Sequence, residues 1–344
     1  MNRTSGIRTA IVGLGRSGWD IHVKQLLERK EFQIVSVADP DPARAQEGAN
    51  QLGCDSYPDL QSLLRGSDAE LVCIATPSWM HEADTIRVLE LGRHCVVEKP
   101  MALSFEAARR VLDAAEAAGR KLLVHHNFLF RDEYRHLREI VDRGILGQLI
   151  QIRACWFHFG RRNDWQTLRK YGGGMLNNTV THTVSAVLDL LGAPVAELLS
   201  DLQQVNDPGD CEDHVHLFLK ARNGCTADIT STTVCALPCP KWMLLGSCGT
   251  LSSDGQTSTI RYFDPKVVPP MTVVDGPAKD RQYVTDNLPW KEEVMPSRPT
   301  RPTSGFYDNV ADVLLHDASM TVTPESALEV VRIIEWARRG TAFA

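Results

Sequence analysis

No apolar run in this chain is long enough to cross a bilayer as a helix, so a membrane-spanning role is not expected. Basic charge is also scarce. The 37 Lys and Arg stand against 43 Asp and Glu, and the formal net charge of −6 has no basic run to offset it. That balance argues against a nucleic-acid partner. The opening residues "MNRTSGIRTAIVG" lack the apolar centre of a signal peptide, which makes a cytoplasmic location the expectation. The nine cysteines, an odd number scattered from Cys54 to Cys248, read as reduced thiols rather than a disulfide framework. Metal-ligand spacing is missing too. "CALPC" (Cys235 to Cys239) and "DCEDHVH" (Cys211, Asp213, His214, His216) match neither a zinc ribbon nor a zincin, so no metal is expected. His214 and His216 alternate as residues on one face of a strand do.

What is present is an ordinary globular composition, 43% apolar and 23% charged, in 344 residues. That length exceeds what one core usually serves and implies two domains. The first third alternates near-continuous apolar runs ("IRTAIVG", "FQIVSVAD", "AELVCIAT", "HCVVEK", "KLLVHH") with amphipathic stretches around 17–29, 42–52, 80–92 and 104–118. Such alternation predicts a parallel sheet covered on both faces, a doubly wound α/β domain over 1–125. Beyond residue 147, alternating runs such as "QLIQIRACWFHF", "DHVHLFLKA", "CTADITSTTV" and "KWMLLGS" predict a mainly antiparallel sheet in an α+β domain over 126–344. A helix in "GGGMLNNTVTHTVSAVLDLL" lies between its first and second strands. Residues 264–304 read as an irregular excursion, and helices near 305–316 and 324–339 close the chain, the last placed to fold back on the first domain.

The first strand runs into "GLGRSG", with Gly13, Gly15 and Gly18 in G-x-G-x-x-G spacing. Glycines there let a backbone approach a pyrophosphate, and the following helix offers its free N–H groups. Leu14, Arg16 and Ser17 complete the loop. Asp39 ends the next strand roughly 20 residues on, where an acid would hold an adenosine ribose and repel the 2′-phosphate of NADP, favouring NAD. "ATPSWMH" and "EKP" end two further strands, at the edge where such sheets bind ligands. From its place alone, Lys99 is either a catalytic group or an ordinary surface lysine. In the glycine-led helix Leu176, Val180, Val184, Val187, Leu188 and Leu191 share an apolar face, and Asn178, His182, Ser185 and Asp189 the opposite one. That polar face is either solvated or part of a site.

With "GLGRSG", "ATPSWMH", "VVEKPMA" and "GGGMLNNTVTH" in this order, and "DWQ" (Asp164 to Gln166) ahead of the glycines, nearly the whole chain resembles the Gfo/Idh/MocA oxidoreductases. These include glucose–fructose oxidoreductase, inositol dehydrogenases and sugar dehydrogenases. The resemblance implies a Rossmann domain and an open-faced sheet that packs into homodimers or homotetramers. It implies that Lys99 and His182 flank the nicotinamide and that a cis bond precedes Pro100. Thr76, Pro77, His81, Glu98 and Asn127 fall where cofactor contacts usually lie. Three departures stand out: Asn178 and Ser185 replace aspartates found in many members, and Trp165-Gln166 replaces the usual Trp-Arg.

The expected activity is NAD-dependent oxidation of a secondary alcohol of a sugar, glycoside or cyclitol. Lys99 and His182 share the acid–base work, and Asn178 holds the imidazole or a substrate hydroxyl. Arg161, Arg162, Asp164, Tyr171 and Tyr307 are candidate substrate contacts. Two alternatives share these motifs: a redox glycosidase or lyase that oxidises its substrate only transiently, and a non-catalytic NAD-binding regulator.

Overall fold

The computed structural model describes residues 6–273, 275–277, 286–300 and 304–344. Six parallel strands form the first sheet: β1 (Ile7–Val12), β2 (Phe32–Ala38), β3 (Asp55–Tyr57), β4 (Leu71–Ile74), β5 (His94–Val97) and β6 (Leu122–Val124). Their order is β3-β2-β1-β4-β5-β6. The order reverses between β1 and β4, which opens a crevice at the carboxyl ends of those strands. Strand β4 is fully buried over its whole length, as a strand covered on both faces must be. Helices α2 (Pro42–Leu52) and α3 (Leu60–Gly66) pack along β2 and β3, and α4 (His81–Glu90) along β4 and β5. The helix after β1 opens with a π-helical turn, Gly18–Val23, before the short α1 (Lys24–Leu27). The 14-residue α5 (Phe105–Ala118) is capped by Ser104, whose side chain accepts from the Ala107 N–H.

The second sheet has eight strands: β7 (Leu149–Phe157), β8 (Val195–Gln203), β9 (His214–Ala221), β10 (Thr226–Thr232), β11 (Trp242–Gly246), β12 (Gly249–Ser253), β13 (Thr257–Tyr262) and β14 (Lys291–Pro296). Its order is β14-β13-β12-β11-β7-β10-β9-β8, antiparallel except for the β7–β10 pair. Between β6 and β8 the chain also forms α6 (Asp132–Asp142) and α7 (Thr181–Leu191). The register lines up one buried row across the sheet, Leu217, Ile229, Ala154, Trp242, Ser253 and Ser258, and α7 packs on β7 and β10. The opposite row, Leu199, Phe218, Asp228, Arg153, Met243, Ser252, Thr259 and Val294, lies on the uncovered face.

Five strands were not legible as runs: β3, β8, β12, β13 and β14. β3 is short and half-exposed, while β8 and β14 are the two edges of the second sheet. An edge strand with one face open needs little apolar sequence, which is why "VAELLSDLQ" and "KEEVMP" carry no clear signal. β8 therefore stands between the glycine-led helix and the strand expected to follow it, and β14 lies inside the stretch expected to be irregular.

Two helices close the chain: α8 (Phe306–His316) and α9 (Pro324–Arg338). Thr323 caps α9 by accepting from the Ser326 N–H at 3.1 Å, with Pro324 as its first residue. α9 packs on α5 and β6 of the first layer and on α7 and β8 of the second, so it joins the two sheets. Ile333, on α9, is fully buried. Ile333→Ala should cost about 2–5 kcal/mol in urea unfolding. A loss below about 0.5 kcal/mol, the scale of an ordinary surface substitution, would mean that α9 is not docked as described.

Candidate active site

The turn after β1 is tight because its glycines have no room for side chains. Gly13 has φ +89°, and a Cβ there would lie 2.6 Å from the Ala75 carbonyl oxygen; a Cβ on Gly18 would overlap the Gly13 carbonyl. Gly15 differs: a Cβ would meet nothing within 4 Å. It borders a cavity of about 350 Å³ lined by Leu14, Gly15, Arg16, Trp19, Asp20, Arg44, Glu47 and Gly48. A close-packed turn that leaves one bare glycine on a cavity at the start of a helix suits a dinucleotide pyrophosphate, so the residues present fit the cofactor.

Asp39 is 3% exposed and committed to its surroundings. One carboxylate oxygen accepts from the Leu14 N–H at 2.8 Å and the other from the Asp41 N–H at 3.0 Å. Arg44 Nη1 approaches it at 3.3 Å. Arg44 had no sequence signal, yet it places a cation where only an acid was expected. Serving the same cleft, Thr76 donates to Asp84 at 2.9 Å, and Pro77 leads the turn Ser78–Met80. His81 is 2% exposed, with its ring nitrogens 2.7 and 2.8 Å from the carbonyls of Pro100 and Thr76. It braces two loops rather than facing the cleft.

The Lys99–Pro100 peptide bond is cis. Lys99 Nζ donates to the Asn178 carbonyl oxygen at 2.7 Å, bringing the end of β5 against the helix of the other layer. Burial lowers the Lys99 pKa, Arg16 and Arg162 lower it further, and Glu98 opposes them. His182 is held well below the usual imidazole range by burial, then by Lys99 and His126. Its Nδ1 is sealed without a hydrogen-bond partner. His126, missed in the sequence, belongs to this cluster: it is 2% exposed, its Nδ1 is unpartnered, and burial with Lys99 pushes its pKa down to about 3. Asn127 Oδ1 is buried and unpartnered beside it. Two adjacent histidines at the carboxyl end of a strand, "VHHN", were the available signal.

Several expectations need correction. Asn178 does not hold His182, whose Nδ1 has no partner; it is the Asn178 backbone carbonyl that works, on Lys99. The helix opens there with a π-helical turn over Leu176–Val180. Ser185, expected on the polar face, is 7% exposed, whereas Asp189 accepts a hydrogen bond from Tyr134. A Cβ on Gly173 would overlap the Gln166 carbonyl, and one on Gly174 (φ +99°) the Glu212 carboxylate, so these two serve close contact within the protein. Tyr307 is not at the site edge: it is fully buried, with its hydroxyl 2.6 Å from His22 Nδ1.

The remaining candidates gather around the mouth. Trp165 meets Trp79 edge-on at 5.3 Å, and Tyr171 lies 4.7 Å from Trp79, so both layers contribute to one aromatic cluster. Arg161, Arg162, Gln166 and Asn178 line a cavity of about 300 Å³, in which Arg162 pairs with Asp164 at 2.7 Å. The two kinds of glycine should separate experimentally. Gly15→Ala should leave the melting temperature unchanged and weaken NAD binding about tenfold or more, while Gly174→Ala should lower the melting temperature by several degrees, as a loss of about 1 kcal/mol or more does. Equal thermal effects from the two, read by calorimetry, would contradict the distinction.

Residues 7–126 match the sequence profile described as the oxidoreductase family, NAD-binding Rossmann fold, and residues 134–252 that of the GFO/IDH/MocA C-terminal domain. The chain is similar to inositol 2-dehydrogenase of Leifsonia xyli subsp. xyli, 30% identical over 235 residues, 67% of each chain. It is also similar to D-glucoside 3-dehydrogenase of Escherichia coli, 28% identical over 214 residues that span 60% of this chain and 61% of that one. It thus spans less than two thirds of that relative's length. An NAD-binding protein from Listeria innocua shares the fold, with a TM-score of 0.80 at 24% identity over 97% of this chain and 95% of that one. Among the described residues, no helix is long and apolar enough to cross a membrane. By the two profiles, matched in family order, the chain belongs to the GFO/IDH/MocA oxidoreductase family.

Proposed function

We propose that this protein is an NAD-dependent dehydrogenase oxidising a secondary alcohol of a sugar, glycoside or cyclitol, with residues 1–125 binding the dinucleotide and 126–344 the substrate. The observation that carries the reading is the Lys99 amine at the end of the sheet where the glycine turn lies, bonded to the backbone carbonyl of Asn178, a residue that lines the 300 Å³ cavity. The substrate class is supported by relatives named for inositol and glucosides. Bound at the glycine loop and Asp39, NAD would supply the hydride acceptor.

Lys99 takes the proton of the substrate hydroxyl. Burial favours its uncharged form, which is the form a base needs. His182 is the donor. With Nδ1 sealed and unpartnered, that nitrogen suits a lone pair, which leaves the proton on Nε2 to hydrogen-bond the substrate oxygen. Arg162, Asp164 and Gln166 orient the remaining hydroxyls. A homodimer or homotetramer through the uncovered face of the second sheet belongs to the same reading, supported there by Leu199 at 71% and Val294 at 66% exposure.

Lys99→Ala should lower kcat about a hundredfold or more, the usual scale for a lost acid–base group, with little change in NAD affinity. In the wild type, kcat/KM for oxidation should rise with pH and level off below the ordinary lysine value of 10.5, since a base acts deprotonated. A sugar and cyclitol panel followed by NADH absorbance checks both, and undiminished turnover in Lys99→Ala would return the lysine to a structural role. Cofactor choice gives a separate test. NAD should bind more tightly than NADP because Asp39 repels the 2′-phosphate, and Arg44→Ala should widen the gap about tenfold by uncovering that charge. Calorimetric titration showing equal affinities in the wild type would overturn the role of Asp39.

A further inference from the structure

Behind Lys99 lies a polar cluster that the chemistry above does not use. Glu98 is 7% exposed. Its Oε1 accepts from the Ser17 hydroxyl at 2.6 Å, His125 Nδ1 at 2.9 Å and His22 Nε2 at 3.1 Å. Its Oε2 accepts from the Lys99 N–H at 3.2 Å. His22 Nδ1 in turn lies 2.6 Å from the Tyr307 hydroxyl, which lies 3.3 Å from Cys73 Sγ. Tyr307 belongs to α8, 285 positions from His22 in sequence.

The bonding assigns the protons. A carboxylate only accepts, so both imidazoles turn an N–H toward it. His22 Nδ1 then has a lone pair and accepts from the Tyr307 O–H, which burial keeps protonated. His125 Nε2 is sealed without a partner, which suits a second lone pair and not a second N–H. Each ring thus turns one N–H to Glu98. Burial works against the charged form of Glu98, yet the facing His125 and His22 hold its carboxyl well below the usual range. Among the described residues no Lys or Arg side chain pairs with it. Among the described residues the buried Glu98 carboxylate thus stands with no Lys or Arg bonded to it, between Ser17 of the glycine loop and the backbone of Lys99.

We propose that the Glu98 carboxylate is the fixed counter-charge of the nicotinamide half of the site, setting a preference for the oxidised, cationic cofactor over the reduced, neutral one, with Tyr307 as a positioning residue. This rests on the reading of the chain as a nicotinamide-dependent dehydrogenase. The two cofactor forms differ chiefly in the ring's positive charge, so a nearby buried anion acts on the ratio of their affinities. Tyr307 acts through His22: its O–H holds the tautomer that presents Nε2–H to Glu98.

The test is calorimetric titration of wild type, Glu98→Gln and Tyr307→Phe with NAD and with NADH, alongside circular dichroism to establish folding. In Glu98→Gln the ratio of NAD to NADH dissociation constants should rise about tenfold, equivalent to about 1.4 kcal/mol. In Tyr307→Phe it should rise about two- to fourfold, since the charge stays and one supporting donor is lost. An unchanged ratio in folded Glu98→Gln, including equal weakening of both forms, overturns the proposal. If Glu98→Gln does not fold, an unchanged ratio in Tyr307→Phe does so. Wild-type protein that binds neither nucleotide overturns the cofactor reading itself.

Discussion

Holding a carboxylate inside a protein requires donors to replace the water it loses, and the segments around Glu98 are arranged to provide them. Ser17 comes from the turn after β1, His22 from the π-helical turn that follows, the Lys99 N–H from the end of β5 and His125 from the end of β6. Four donors on one group bring three strand ends to a common point at the carboxyl edge of the sheet. Tyr307 extends that point to α8. The crevice made by the strand order is thereby given a rigid floor, and Lys99 rises from it.

The second layer meets Lys99 through the Asn178 carbonyl, on a helix start held by close packing within that layer. Gly173 and Gly174 let the start of the helix before α7 press on Gln166 and Glu212. The Leu176 N–H donates to Glu212 at 3.0 Å, and Arg338 of α9 approaches the same carboxylate at 3.5 Å. The helix start that offers its carbonyl to Lys99 is thus tied to the closing helix, which also packs on the first layer. Both helices that face the cleft open with π-helical turns, a form found often at functional sites because it redirects side chains by part of a turn.

Much of this was legible in the order of residues. Fully buried parallel strands announce themselves as runs such as "LVCI", because both faces need apolar side chains. "GLGRSG" reads as a phosphate-binding turn because only glycine tolerates the positive φ of Gly13 and the crowding at Gly18. Edge strands β8 and β14 were not legible, since a strand with one neighbour and an open face has a weaker pattern. The π-helical turn over Leu176–Val180 was hidden as well, since its wider winding leaves no mark in composition.

The family resemblance implied that Lys99 and His182 meet, and the sequence by itself determined the two sheets and the glycine turn. The sheets and the turn follow from local steric rules or from short-period burial. Only the tertiary structure decided which polar groups meet. Arg44 covers Asp39, His126 joins Lys99 and His182, Tyr307 turns inward to His22, and Gly173 and Gly174 pack closely on Gln166 and Glu212. These pairings depend on distances between segments far apart in the chain, such as the 285 positions between His22 and Tyr307, and no periodicity encodes them. A buried hydrogen bond takes whichever partner the packed fold brings within about 3 Å, and that is settled only when the layers close.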